Sequence, residues 1–457
     1  MVAGDPNGRS RDAAWADFDN DGWLDLFVAY DDVIAPGNQL FRNKQDGTFV
    51  DVASTAGVNS IGAGFNANWG DYNRDGWPDL FLVRTGVPPT VAQPDVLYRN
   101  NKDHTFTDVT AGVGIVDTAQ GSDAVWGDFN NDGWLDLYVV GLTGINHLFQ
   151  NDQDGTFTDI SVASGTNDVF GTARAVTVGD YDNDGRLDIF VACAVQTGVP
   201  DADIDVLFHN DGGSPPFFSY ASDIAGVEDP AILNGLSTAF GDYTEDGALD
   251  LLVGNEGSVS NILWRNLANK NDALIVRLVG TISNSLGIGA RVEVTADLDG
   301  SGPMAPVIQT REILGGSKGQ APIEAHFGLG FPNVENLQVN ALKVFWPTSS
   351  LTQEFVDGLA SNQIITIFEG APGMSVTRVT PNSGPIGGGT TVVITGTNFE
   401  SNATVRFGNV SQTIIPPVLH NRITVTPCVP MMCETGPTLG ISVQGWETLT
   451  DVPRERS

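Results

Sequence analysis

Short apolar runs, each entered from an acidic turn, recur along the N-terminal part of the chain. Five of them read LDLFVAY, PDLFLVR, LDLYVVG, LDIFVAC and LDLLVGN. Short runs of valine, leucine, isoleucine and aromatic residues between turns are typical of β-strands buried on both faces. In the third copy, AVWGDF precedes the run, and NHLFQN and DGTFTDI follow it. The pattern therefore predicts a unit of four strands, repeated five times at intervals of roughly 50 to 60 residues.

Equivalent strand-like pieces are present in the other copies. NQLFRN, DVLYRN, DVLFHN and NILWRN correspond to the third piece, and DGTFVDV, DHTFTDV and the looser PPFFSYASDI to the fourth. In the fifth copy NDALIVRL takes the fourth place. Four antiparallel strands repeated radially form a β-propeller. We therefore predict an all-β fold with a β-propeller over residues 10–278, in which five blades are detectable and a larger ring is left open.

The turn before each apolar run carries the candidate chemistry. The five turns read DFDNDGWLD, DYNRDGWPD, DFNNDGWLD, DYDNDGRLD and DYTEDGALD, with oxygen-bearing side chains at positions 1, 3, 5 and 9 and glycine at position 6. Ca²⁺ binds six to eight oxygen ligands in flexible geometry. An EF-hand would need glutamate at position 12 and a following helix, whereas a valine or leucine of a predicted strand stands there. The sequence predicts calcium in a loop between two strands.

We predict one calcium ion in each of the five loops, with the backbone carbonyl of position 7 as an additional ligand. The fifth loop has threonine at position 3, and we expect it to bind calcium most weakly. Acidic turns without metal are the alternative, because aspartate, asparagine and glycine favour turns in any case; five copies with the same spacing favour calcium. The predicted ligands are Asp17, Asp19, Asp21, Trp23 and Asp25; Asp71, Asn73, Asp75, Trp77 and Asp79; Asp128, Asn130, Asp132, Trp134 and Asp136; Asp180, Asp182, Asp184, Arg186 and Asp188; and Asp242, Thr244, Asp246, Ala248 and Asp250.

The loops and their flanking strands resemble FG-GAP/VCBS repeats, the calcium-loop blades also found in integrin α-chain propellers. The motif D-x-D-x-D-G-x-x-D and the strands LYRN and DGTFTDV carry this resemblance. It implies a propeller whose calcium lies between the first two strands of a blade.

Two further resemblances follow along the chain. Residues 279–370 resemble an ASPIC/UnbV domain through GIGARVEVTA, TREILGG, AHFGLG, VFWPTSSLTQEF and NQIITIFEG, in that order. Residues 374–445 resemble an IPT/TIG domain, an immunoglobulin-like β-sandwich, through VTPNSGPIGGGTTVVITGTNF and ATVRFGN. Repeats combined with an ASPIC/UnbV domain resemble the cartilage acidic protein group and its bacterial secreted relatives. This implies an extracellular, adhesive or matrix role, with no catalytic residues to transfer.

The charge of the chain narrows the possible partners. With 56 acidic and 22 basic residues, the net charge is −34, which disfavours nucleic acid and anionic lipid. The sequence has no apolar run long enough for a membrane span. No signal peptide is visible at MVAGDPNGRSRDAAW; because the first repeat begins close to Met1, we expect a missing N-terminus and a secreted or cell-surface protein. Weak calcium sites also suit extracellular calcium concentrations.

Other reactive side chains show no catalytic arrangement. His104, His147, His209, His326 and His420 form no cluster along the sequence, and we interpret them as polar surface or core residues. We interpret the tryptophans of the loops as apolar cover rather than as sugar-stacking platforms. The acidic turn at 297–306, with Asp297 and Asp299, is interpreted as a hairpin loop without metal. Cys193 is predicted to be buried in a strand, whereas a disulfide between Cys428 and Cys433 is left open.

The function predicted from these observations is that of a non-enzymatic, calcium-stabilised extracellular binding or adhesion protein. A face of the propeller would bind an extracellular protein or a glycan. Two alternatives stay open at this point: a secreted polysaccharide-active enzyme or lectin with the propeller as scaffold, and a purely structural module of a larger surface assembly.

Overall fold

The computed structural model contains two compact units, Met1–Ile364 and Ile365–Ser457. Almost all of its regular elements are β-strands, which confirms the all-β class. From residue 370 onward, strands alone are described. Up to that point, the described residues are 10–30, 37–60, 64–85, 93–116, 121–142, 145–167, 172–194, 205–227, 235–257, 260–267, 271–298, 306–316, 322–330 and 338–369.

Five antiparallel sheets follow one another in the first unit, each with its strands in chain order. The first sheet contains β1 (Ser10–Ala16), β2 (Asp25–Tyr30), β3 (Gln39–Asn43) and β4 (Phe49–Asp51). The second contains β5 (Gly64–Gly70), β6 (Asp79–Arg84), β7 (Val96–Asn100) and β8 (Phe106–Asp108). The third contains β9 (Gly121–Gly127), β10 (Asp136–Gly141), β11 (His147–Asn151) and β12 (Phe157–Asp159). The last two contain β13 (Thr172–Gly179), β14 (Asp188–Ala194), β15 (Val206–Gly212) and β16 (Phe217–Tyr220), then β17 (Gly235–Gly241), β18 (Asp250–Asn255) and β19 (Ile262–Trp264).

The sheets stand side by side like the blades of a propeller. The first strands of consecutive sheets pack against one another in the order β1, β5, β9, β13 and β17. Among the described residues, β17 and β1 share no comparable contact. A short helical turn follows the fourth strand of each of the first four sheets: α1 (Ala53–Ala56), a 3₁₀ turn (Thr110–Gly112), α2 (Ser161–Ser164) and α3 (Ser222–Ala225).

Aromatic residues at the end of the first strands form the core between blades. The ring of Trp69 lies 6.3 Å from that of Phe27 in the preceding blade and 5.9 Å from that of Phe106. Trp126 stands in the same way 6.2 Å from Phe81. Edge-to-face and tilted pairs at these distances add stability beyond the area that they bury. The core therefore lies between neighbouring sheets and holds each blade against the next.

The prediction that NDALIVRL forms the fourth strand of the fifth blade is wrong. The segment NDALIVRL lies largely in β20 (Ala273–Val279), which pairs antiparallel with a later strand. Most of β20 is buried, whereas the outermost strands β4, β8 and β12 have two exposed residues out of three. An apolar strand that needs cover on both faces does not suit the outer edge of a blade. Within the described residues, the sheet of the fifth blade therefore has three strands.

The described residues between 273 and 364 form additional β-sheet. We call residues 273–364 the capping region. β20 pairs with β23, and a four-stranded sheet has the order β22, β21, β24, β25. The strands are β20, β21 (Arg291–Ala296), β22 (Val307–Glu312), β23 (Ala325–Gly328), β24 (Gln338–Phe345) and β25 (Thr352–Ala360). β26 (Gln363–Phe368) crosses the boundary between the two units.

The second unit contains two antiparallel sheets, with the orders β27, β28, β32, β31 and β30, β29, β33. Two such sheets fit the predicted immunoglobulin-like sandwich. The strands are β27 (Ser375–Thr380), β28 (Val392–Thr397), β29 (Thr404–Phe407), β30 (Val410–Gln412), β31 (Ile414–Leu419), β32 (Arg422–Val425) and β33 (Ile441–Gln444). Asp299, His420, Cys428 and Cys433 lie outside the described residues, and the disulfide stays untested. Cys193 is buried in β14, as predicted.

An asparagine at or just beyond the third strand ties each of the second to fifth blades to the preceding blade. The backbone N–H of Asn100 donates to Asp79 Oδ1 at 2.7 Å, and its Nδ2 donates to the carbonyl oxygens of Pro78 at 3.1 Å and Phe18 at 2.8 Å. Phe18 belongs to the loop of the preceding blade. Equivalent bonds between blades are made by Asn151, Asn210 and Asn266. We call these residues the clamp asparagines.

Removing one clamp should loosen the contact between two blades. We expect Asn151→Ala to lower the free energy of unfolding by roughly 2 to 4 kcal/mol, because the carbonyl oxygens of Tyr72 and Leu135 each lose a buried donor. Urea unfolding followed by tryptophan fluorescence measures the change. Gln150→Ala, one position earlier on β11, is the matched control and should have a much smaller effect. Equal effects of the two substitutions would contradict the clamp.

Candidate metal centre

Each of the five acidic loops connects the first and second strands of its blade and has the same internal hydrogen bonds. In the first loop, Asp17 Oδ1 accepts from the N–H of Asp21 and Oδ2 from the N–H of Gly22, both at 2.9 Å. The glycine of each loop has a φ between 83° and 92°, the left-handed region that other residues rarely adopt. The first aspartates of the other loops, Asp71, Asp128, Asp180 and Asp242, accept the same pair of bonds.

The last aspartate of each loop is held at the base of the turn. Asp25 Oδ1 accepts from the N–H of Asn43 at 2.7 Å, and Oδ2 accepts from the N–H of Phe18 at 3.2 Å. The asparagine at this place in the repeat therefore positions a predicted ligand in all five loops, and in the second to fifth blades it also bonds to the preceding blade. Its recurrence as RN, QN or HN in all five repeats was a signal for this role in the sequence.

Three carboxylates converge in the first loop and again in the fourth. Oxygen atoms of Asp17, Asp19 and Asp25 all lie within 4.8 Å of one another. The same holds for Asp180, Asp182 and Asp188. Both groups could hold a metal ion, and both consist of residues that the sequence motif predicts.

The first loop holds three buried carboxylates that a divalent cation could bridge. Asp19 is 6% exposed, and its partners are cationic side chains rather than backbone N–H groups. The nearest cationic groups are Arg42 Nε at 2.5 Å and His104 Nδ1 at 3.5 Å. Burial raises the pKa of Asp17 to about 6 and that of Asp25 to about 8, against the hydrogen bonds that they accept. An all-oxygen donor set of this kind fits Ca²⁺.

The fourth loop is equally buried and adds a nitrogen donor. Burial raises the pKa of Asp180 to about 8 and, with the charge of Asp182 beside it, that of Asp184 to about 6. Nε2 of His209 lies 3.1 Å from Asp182 Oδ2. The sequence interpretation of His209 as a polar surface or core residue did not include this contact with the loop. Because β15 lies beside β14 in the sheet, the fold brings together residues far apart in the chain.

A side chain from outside the acidic motif, or from its position 7, contacts the position-5 aspartate in every loop. Gln45 and Gln153 donate an amide hydrogen, whereas Lys102, Arg186 and Arg265 form ion pairs; the partners are Asp21, Asp132, Asp75, Asp184 and Asp246. These contacts offset part of the negative charge at position 5. The first and last aspartates of each loop accept hydrogen bonds from backbone N–H groups instead. In the third loop, Arg74 of the second loop also lies over the ring of Trp134, 5.3 Å from its centre. Trp23, by contrast, is 49% exposed.

The capping region lies over the loops and supplies opposite charge to the buried aspartates. Thr348 Oγ1 donates to Asp17 Oδ2 at 3.0 Å. Arg311 is buried, and its Nε donates to the His326 carbonyl oxygen at 3.2 Å. The positive charge of Arg311 lowers the pKa of Asp128 and of Asp180. Burial raises both pKa values by more than this charge lowers them. Sequence analysis missed Arg311, because only the fold brings it near loops more than 120 residues earlier.

Replacing one ligand should remove one ion. We expect Asp19→Asn to bind one calcium ion fewer than the wild type, since it removes the charge of a predicted ligand carboxylate without changing its shape. Native mass spectrometry at a fixed calcium concentration counts the ions. Asp46→Asn is the matched control, because Asp46 is an exposed aspartate outside the motif. An unchanged count in Asp19→Asn would show that the first loop holds no ion.

The metal-free protein should become more stable as the pH falls from about 8 to about 5. The raised pKa values of Asp17 and Asp25 mean that the folded state binds more protons than the unfolded state between an ordinary aspartate pKa of about 4 and about 8. Melting temperatures in EDTA across this range test the sign. The slope should be smaller in Asp25→Asn and unchanged in Asp46→Asn. A wild-type melting temperature that rises with pH in EDTA would contradict this charge balance.

Comparisons with known proteins agree with the motifs. FG-GAP-like repeats match residues 17–82, 90–139 and 128–191, the ASPIC and UnbV family matches 280–373, and the IPT/TIG domain matches 374–449. Cartilage acidic protein 1 of Homo sapiens is 25% identical over 323 residues, which are 69% of this chain and 46% of that protein. The Mus musculus protein is 25% identical over 324 residues, or 69% and 47% of the two chains. The chain thus spans about half the length of these relatives.

Solved structures are less similar. An exotype rhamnogalacturonan lyase, YesX, has 12% identity and a TM-score of 0.33, over 79% of this chain and 75% of that one. BBS1N in complex with ARL6DN has 10% identity and a TM-score of 0.29, over 78% and 95%. Neither likeness carries an argument about function. In the described part of the chain, no helix has the length and apolar character to cross a membrane. The family matches confirm the predicted resemblance: the chain contains FG-GAP-like repeats, an ASPIC and UnbV region and an IPT/TIG domain.

Proposed function

We propose that this chain is a non-enzymatic, calcium-stabilised extracellular protein that binds a protein or a glycan. The observation that carries the proposal is the group of three buried carboxylates in the first loop, whose oxygen atoms all lie within 4.8 Å of one another. Similarity to cartilage acidic protein 1 supports an extracellular, matrix-type role. Secretion would also supply the calcium concentration that loops of modest affinity need.

The proposed role of the metal is structural. Asp17 and Asp25 are almost completely buried, and Asp17 is covered by Thr348 of the capping region. A substrate would have no access to an ion held by these groups. Bound calcium would instead neutralise the loop, and through the clamp asparagines and the capping region it would stabilise the contacts between blades. One ion at 100 times its dissociation constant adds about 2.7 kcal/mol to the stability of the fold.

The capping region also bears on where a partner would bind. It contacts the face of the propeller on which the acidic loops lie, through Thr348, Glu312 and His326. We therefore propose that the partner binds away from the metal loops. The opposite ends of the blades and their outer edges are the surfaces to test.

Calcium removal tests the structural role. We expect EDTA to lower the melting temperature sharply, since several loops would lose their counter-charge together, and we expect added Ca²⁺ to restore it. Differential scanning calorimetry with EDTA, and after back-titration with Ca²⁺, measures this. A panel of extracellular proteins and glycans, assayed for both binding and turnover, then tests the partner. A melting temperature that ignores EDTA, or turnover of a glycan, would overturn the corresponding part of the proposal.

A further inference from the structure

We propose that the fourth loop has a second group of ligands, selective for a borderline divalent cation such as Zn²⁺, with His209 as the nitrogen ligand. The oxygen ligands are the carboxylates of Asp182 and Asp184. Donor atoms of the three residues lie within 4.8 Å of one another. The inference rests on the proposed metal binding of the loops, but it differs from calcium binding in the donor atom and in the ion.

The fold places His209 where it can reach the loop. His209 lies on β15, directly before the clamp Asn210, whose N–H donates to Asp188 Oδ1 at 2.8 Å. Nε2 of His209 then lies 3.1 Å from Asp182 Oδ2 and 3.8 Å from Asp184 Oδ2. A small movement of these side chains would bring all three donors to the 2.0–2.2 Å at which Zn²⁺ is bound.

A carboxylate behind the imidazole fixes its orientation. His209 Nδ1 lies 3.0 Å from Asp211 Oδ1, and the ring packs edge-on against Tyr181 with 6.1 Å between the ring centres. In metal sites the second ring nitrogen of a ligating histidine almost always donates to such a partner, which fixes the tautomer and makes the ligand more basic. Asp211 lies outside the acidic loop, whereas Tyr181 is the second residue of the loop, and both contacts direct Nε2 towards the carboxylates.

The other four repeats have no ligand of this kind at the same position. The residue before the clamp asparagine is arginine or glutamine in each of them, namely Arg42, Arg99, Gln150 and Arg265. Arg42 and Arg265 form ion pairs with their loops there. An imidazole provides a donor that Zn²⁺, Ni²⁺ and Cu²⁺ favour, whereas Ca²⁺ takes oxygen ligands. In the first loop His104 Nδ1 lies 3.5 Å from one carboxylate, Asp19, whereas His209 Nε2 contacts two. The fourth loop should therefore differ in metal preference from the loops without an imidazole between two carboxylates.

The charges around the group favour a cation. Asp180, Asp188 and Asp211 face it in addition to the two carboxylate ligands, and Arg186 and Arg311 are the cationic groups nearby. Arg186 pairs with Asp184 and donates from Nε to the Asn210 carbonyl oxygen at 2.7 Å, so zinc binding would have to displace its guanidinium from Asp184. The ligands keep partial exposure, 21% for His209 and 33% for Asp182, which leaves a route of entry for the ion.

Zinc titration of the untagged, calcium-saturated chain tests the inference. Because Asp182 and Asp184 are also predicted calcium ligands of the fourth loop, we expect native mass spectrometry to show one Zn²⁺ bound in exchange for the calcium ion of that loop. Substitution by Co²⁺ should give the visible absorption of a site with nitrogen and oxygen ligands.

His209→Gln and His209→Arg should both lose this ion while the calcium bound by the first loop is retained; arginine already occupies the equivalent position in three repeats. Asp211→Asn should weaken zinc binding by about 10- to 100-fold.

The controls separate the possible failures. His147→Gln should leave zinc binding unchanged, because His147 pairs with Asp159 outside any loop. Equal zinc binding by wild type and both His209 variants would overturn the inference and place the ion elsewhere. Calcium binding without any zinc binding would overturn it too, with His209 acting only as a counter-charge, and would leave the proposed function standing. Failure to bind either ion would refute the proposed function as well.

Discussion

Carboxylates crowded into a poorly solvated space are the constraint on which this structure depends. Two ionised aspartates about 4 Å apart repel by roughly 4 kcal/mol at an effective dielectric constant near 20. Each loop answers this repulsion first with backbone N–H donors to the first and last aspartates, and then with an amide or cation at the fifth position. In the first loop the Arg42 guanidinium, rather than a backbone donor, pairs with Asp19, and in our account calcium takes the place of that ion pair.

The same loops are the points at which separate parts of the first unit meet. The clamp Asn100 donates to its own blade and to the loop of the preceding blade. Thr348 and Arg311 bring the capping region onto the first aspartates of three loops. Neutralising a loop therefore affects contacts that are remote in sequence but adjacent in space. This is why we assign the metal a structural role rather than a catalytic one.

Local patterns in the sequence predicted most of the blades and the chemistry of the loops. Alternation, turn glycines and oxygen side chains act over fewer than ten residues, so the loop from Asp17 to Asp25 could be interpreted alone. Residues whose role depends on long-range contacts could not: Arg311 and His209 reach their loops only after the strands have paired. The sequence prediction placed β20 in the fifth blade because its composition suits a blade strand. Only its burial in the folded protein shows that it belongs to the capping region.

The most direct test of this account is anomalous diffraction from crystals grown with calcium. The account predicts anomalous peaks within 2.3–2.6 Å of the carboxylate oxygens of Asp17, Asp19 and Asp25, with the Arg42 guanidinium displaced from Asp19. A comparable peak is expected beside Asp180 and Asp188. Loops that keep the Arg42–Asp19 ion pair and show no peak at saturating calcium would contradict the central claim, and the carboxylates would then be balanced by protons and by the protein's own cations.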